Sequence, residues 1–184
     1  MRASLISAFT RAVVAVGALI LTVGANAAGD KAAYENAKAS AKTSYDDARK
    51  KCDAMSGNAK DVCVAEASAA RVRAEQGAEA AYQGTPKARE QAAGEIADAN
   101  YKVARERCNE RSGNDKDVCI KVARAALTKA KADAKAGRKV AEAHQDAAKE
   151  KREADYKVAA EKCEALTGDA KSTCIKDAKA RYGM

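Results

Sequence analysis

The chain has no tryptophan, one phenylalanine, one proline and one histidine in 184 residues. Each scarcity excludes something. The single phenylalanine is Phe9, so everything after the first residues must build a core without the large rings that supply much of the burial in ordinary domains. Branched aliphatics do not replace them, since past residue 27 the only isoleucines are Ile96, Ile120 and Ile175 and the only leucines Leu127 and Leu166. Burial stabilises by about 25 cal/mol per Å² of apolar surface and alanine offers little surface, so packing alone leaves such a chain marginal. The lone histidine, His144, stands between Ala143 and Gln145 on what reads as a solvated helix face, with no second histidine to complete a metal site or an acid–base pair. Proline is confined to Pro86, which leaves long stretches without a helix breaker.

What is present is alanine together with lysine, arginine, glutamate and glutamine, the best helix formers. Apolar residues recur in steps of three and four, as at Tyr34, Ala37, Ala41, Tyr45, Ala48, Cys52 and Met55, which places them on one stripe of a helix. The stripe is narrow and mostly alanine, suited to close pairing of helices and not to a deep core. The fold class is therefore all-α.

At the N-terminus, Arg2 and Arg11 precede an apolar run from Ala12 to Val23, too short for a membrane span of about 20 residues. Ala25-Asn26-Ala27 follows as a small-x-small cleavage pattern. Residues 1–27 read as a secretory signal removed after export, leaving no stable membrane insertion and no lipid-bearing cysteine near the new end.

Internal repetition is the most informative feature. Tyr45 to Cys52, Tyr101 to Cys108 and Tyr156 to Cys163 align without gaps, and each runs on through a glycine and a lysine to a second cysteine, Cys63, Cys119 or Cys174. The copies begin 56 and then 55 residues apart. In a continuous helix, cysteines 11 positions apart lie about 16 Å apart along the axis, whereas a disulfide needs Cα atoms within about 7 Å. A local bridge therefore requires a turn between them. Ser56-Gly57-Asn58, Ser112-Gly113-Asn114 and Thr167-Gly168-Asp169 supply it, a glycine to close one helix and an Asn or Asp to cap the next. Asp61 and Asp117 are expected to add favourable charge at the new helix start. The pairing predicted is Cys52 with Cys63, Cys108 with Cys119 and Cys163 with Cys174, each bridge about a turn and a half from its hairpin tip. Loop-closure entropy gives each roughly 3 kcal/mol of stabilisation.

Gln83-Gly84-Thr85-Pro86 marks a helix end followed by a cap and a proline at the first helical position. Gly137 falls near the equivalent point of the next interval but has no proline beside it. The expected helices are 31–56, 59–83, 86–112, 115–136, 138–167 and 170–182, with the fourth and fifth free to merge through Gly137. Three hairpin units follow, residues 28–84, 85–137 and 138–184, as an elongated or loosely packed bundle.

Tyr45, Tyr101 and Tyr156 precede their cysteines by two helical turns and share the stripe, which suits packing in the hairpin seam. Removing Arg2 and Arg11 leaves 32 basic against 26 acidic residues, a net charge of +6 that is dispersed. The densest stretch, Lys149-Glu150-Lys151-Arg152-Glu153, mixes both signs and reads as a solvated face. Export removes nucleic acid from consideration and leaves anionic envelope components, or another protein, as partners. No catalytic, metal or cofactor-binding residue is assigned, because no nucleophile, base and orienting group can be assembled.

The Cys-x10-Cys hairpins, with Tyr-Lys-Val-Ala before Cys108 and Cys163 and Lys-Asp-Val-Cys at 60–63 and 116–119, resemble a family of small exported proteins of Gram-negative bacteria. Some members are labelled as similar to the cell-envelope protein TolA. The resemblance implies an envelope location and no activity, and it transfers no functional residue. The function expected is that of a non-enzymatic structural or interaction protein of the periplasm, with a stress-related, chaperone-like or anionic-surface-binding role as the alternative.

Overall fold

The computed structural model describes residues 29–184. The signal sequence read at residues 1–27 lies outside them. Among the described residues the chain forms five helices and no strand: α1 (Lys31–Cys52), α2 (Gly57–Gln83), α3 (Pro86–Cys108), α4 (Gly113–Cys163) and α5 (Gly168–Tyr182). The fold is all-α, and disulfides pin three antiparallel hairpins: α1 with α2, α3 with α4, and the far end of α4 with α5.

Local chemistry accounts for most of the boundaries. Asp30 caps α1 by accepting from the amide of Ala32 at 2.9 Å. Gly84 ends α2 with φ +64, Thr85 accepts from the amide of Ala88 at 3.0 Å, and Pro86 opens α3. This is the expected corner. At Gly137 the chain does not turn, and α4 continues through it for 51 residues, about 76 Å. Five helices thus replace six. Glycine in a helix interior costs about 0.5–1 kcal/mol against alanine, which does not break a helix that is well formed on both sides.

Each helix packs only on its neighbours in sequence among the described residues, so the order in space is the order in the chain. Hairpins 1 and 2 meet where α2 crosses α3, and there Ala69, Ala99 and Val103 form a buried cluster flanked by Ala65 and Val72. The whole buried set is nine alanines, three cysteines and Val103, with no buried polar residue among those described. The core is as thin as the composition demands.

Continuity of α4 also sets direction. The first two hairpin tips lie at one end of the layer, but the third lies at the other, because no turn reverses the chain before Cys163. Asp98 pairs with Lys131 at 2.7 Å and Glu90 with Arg138, which fixes the antiparallel register of α3 on α4. That register sets Pro86 opposite residue 142, and the Cys163–Cys174 bridge sets Tyr182 opposite residue 155. Among the described residues, 143–154 of α4 therefore have no helix opposite them on that side.

Candidate functional site

The six cysteines assigned from sequence all lie at the hairpin tips, paired as the spacing requires, with Cα atoms 5.6, 5.7 and 5.7 Å apart. No free cysteine remains among the described residues. Cys52, Cys108 and Cys163 are fully buried and each is the last residue of its helix, while its partner lies nearly two turns into the next helix. The bridge is thus lopsided across the tip and not a turn and a half up both arms.

The three tips share one backbone. In each, the first cysteine's carbonyl accepts from the amide three residues on, Met55, Arg111 or Leu166, at 3.0 to 3.1 Å. Gly57, Gly113 and Gly168 have φ of +56, +53 and +59, a region that costs other residues. These glycines open the second helix of each pair and do not close the first, whose ends at Asp53, Asn109 and Glu164 stay right-handed. The N-cap positions belong to Ser56, Ser112 and Thr167, without a side-chain cap bond, and not to Asn58, Asn114 and Asp169. The reason is geometric: the left-handed glycine already turns the chain into the helix, so the next residue falls inside the first turn. Asp61 lies beyond the first turn of α2, where no acid stands, and in α4 the first-turn acid is Asp115, not Asp117. Across the tip, Lys60 pairs with Asp53 at 3.1 Å and Lys171 with Glu164 at 2.7 Å; in the second copy Asn109 occupies the acid's place.

Away from the tips some charged side chains are paired within and between neighbouring helices. Tyr34 donates to Glu79 and is itself the acceptor for Lys38 at 3.2 Å, while its ring stacks on Tyr82 with centroids 4.9 Å apart. The hydrogen bond from Tyr34, then that from Gln83, holds the Glu79 carboxyl below the ordinary range, and the bond to Tyr34 pushes Lys38 up. Lys42 lowers Asp46 by the hydrogen bond it donates. Bonds to Glu142 and Glu90 raise Arg138, as Glu75 raises Arg71. At this root of the first hairpin Gly29 donates to the carbonyl of Tyr82 at 2.8 Å, and a Cβ on it would lie 2.5 Å from the Tyr82 Cα. Only glycine fits there. Nothing in the sequence pattern pointed to this cluster, because the partners are 45 residues apart and lack a repeat counterpart.

Two of the clefts among the described residues are roomy enough to take a partner's side chains. One, of about 680 Å³, lies over α2 between α1 and α3, with Tyr45 and Tyr101 on its walls and Val64 and Val72 on its floor. The other, of about 740 Å³, lies on the third hairpin between Val158 and Tyr182. All three repeat tyrosines are half-buried, and the Arg71 guanidinium sits 5.4 Å from the centre of the Tyr45 ring. Their place is the rim of the seam. His144 is exposed. Among the described residues no cluster of three or more His, Cys, Asp or Glu is arranged to hold a metal ion, and no helix is long and apolar enough to cross a membrane. The disulfides fit an exported chain, since stable bridges persist in oxidising compartments. No family model, curated protein or solved structure matches this chain.

Proposed function

We propose that the protein is a non-enzymatic structural or interaction protein of the periplasm, a disulfide-braced helical layer that binds other proteins or anionic envelope components through its helix faces. The observation that carries this reading is the single-file packing: among the described residues no helix is enclosed, so both faces of the layer they form stay open along its length. The signal-like start, the three tip disulfides and the net positive charge after signal removal support the compartment and the sign of the partner. The resemblance to small exported envelope proteins points the same way.

Co-sedimentation with isolated peptidoglycan, and affinity capture from an envelope fraction with identification of what is retained, test the proposal. Saturable capture of one envelope component, weakened by salt if the component is anionic, supports it. Retention of nothing above a control helical protein overturns it. Exposed valines on α4 favour a second reading, a chaperone-like binder of unfolded clients. Suppression of client aggregation without specific capture decides for that reading.

A further inference from the structure

Helix α4 carries two surfaces that correspond, by repetition, to surfaces packed on each other elsewhere in the molecule. Where α2 meets α3, Ala69 packs against Ala99 and Val103, Arg107 pairs with Glu66, and Arg73 donates to Asn100 at 3.1 Å. The first copy maps onto the second at an offset of 56 and the second onto the third at 55, as Cys63 to Cys119 and Cys108 to Cys163 show. The first offset carries Glu66, Ala69 and Arg73 onto Val122, Ala125 and Lys129 of α4. The second carries Ala99, Asn100 and Val103 onto Ala154, Asp155 and Val158 of the same helix.

In the first two hairpins the apolar centre of these surfaces is covered, and on α4 it is bare. Val103 is 9% exposed and its counterpart Val158 is 57% exposed; Val122 is 64% exposed. Ala125 and Ala154 are exposed too, whereas Ala69 and Ala99 are buried. Five of the seven large apolar side chains exposed in the described residues lie on α4 or the tip that follows it, which concentrates the uncovered apolar surface there. At 3.6 residues per turn this stripe is displaced well away from Ala123 and Cys163, the residues α4 buries against α3 and α5.

The two halves cannot meet within one chain. A fold-back needs a turn where the offsets place the counterparts of Gly84 and Pro86, and Val140 and Ala141 stand there, both helical. We propose that a second copy of this chain covers the stripe, the two α4 helices pairing antiparallel about a two-fold axis near residue 142. The register is that of α2 on α3. It sets Lys129 against Asp155, an ion pair where the intramolecular copy has Arg73 and Asn100. The same register sets Asp133 against Lys151 and brings Val118 to the tip that bears Leu166. Two-fold symmetry makes each contact twice. The Glu66–Arg107 pair alone has no ionic counterpart, because Val122 falls against the stem of Lys162.

Light scattering and sedimentation of the protein with its disulfides formed, over a range of concentrations, give the first result: a dimer is expected. A monomer at concentrations up to about 1 mM overturns the proposal. Lys129→Asp and Asp155→Lys each weaken dimerisation about tenfold or more by opposing like charges twice, and the double reversal restores it. Both sites are exposed, so circular dichroism should show unchanged helicity in all three variants. Dimerisation indifferent to the single reversals, or unrestored by the double, rejects the interface. Zero-length cross-linking of mixed isotope-labelled chains reports the same contact directly. A link between Lys129 and Asp155 must join different chains, since the two are about 39 Å apart on one straight helix; the same link within one chain would reveal a fold-back and also overturn the dimer.

Discussion

Val103 and Val158 hold the same place in successive repeats and live in different surroundings, one in the α2–α3 cluster and the other open to water. Val103→Ala should lower stability by about 1–2 kcal/mol, roughly the worth of the buried carbons removed. Val158→Ala should leave it nearly unchanged under dilute conditions; urea denaturation of the two variants makes the comparison. Identical sequence context thus predicted the helix but not the burial, which depends on whether another hairpin lies alongside. The Tyr34–Glu79 contact gives a residue-level dependence on pH. Because Glu79 titrates lower in the folded chain than its ordinary 4.5, the stabilisation is fully present above that value and is lost as pH falls through the folded pKa. The acid slope of the melting temperature should therefore flatten in Glu79→Gln. An unchanged slope would remove Glu79 from the account.

Helices are the level at which the sequence was most legible. Alanine-rich periodicity, Thr85 before Pro86 and the regular cysteine spacing each act through a few neighbouring residues, and the corners they mark at 84–86 and at the three tips are present. At this level the tips differ from the sequence reading, and Gly137 takes one of the two courses that the reading leaves open. The tip glycines were expected to end helices but begin them, since a left-handed residue reverses the chain equally well from either side and composition does not say which. Gly137 was placed at a boundary with the option of merger, and the merger is what forms, because nothing beside it removes a backbone donor. A Cβ at Gly137 meets no atom within 4 Å, and the residue lies in a helical interior without positive φ. Gly137→Ala should accordingly stabilise the protein by about 0.5–1 kcal/mol. A loss of stability in thermal melts would mean that α4 bends there in solution.

In the molecule as a whole, thin seams are compensated by covalent closure at three points. Reduction should lower the melting temperature markedly, as three loops each lose roughly 3 kcal/mol of restraint on the unfolded chain, while helicity at low temperature largely persists through intrinsic propensity. Far-ultraviolet circular dichroism before and after reduction measures both, and a melting curve that does not move would deny the bridges their role. The pairing of cysteines could be read from the sequence because the same local spacing recurs three times around a glycine turn. The open faces could not, because what a repeat buries is decided by the connection to the next repeat. That connection has a mechanical consequence. The first and second copies are joined by a Gly-Thr-Pro corner, whereas the second and third are joined one residue sooner by unbroken helix, so the array runs on as a straight strut. The valines of α4 that an inward turn would cover stay open to water, so one connector decides which faces of a repeat are left for a partner.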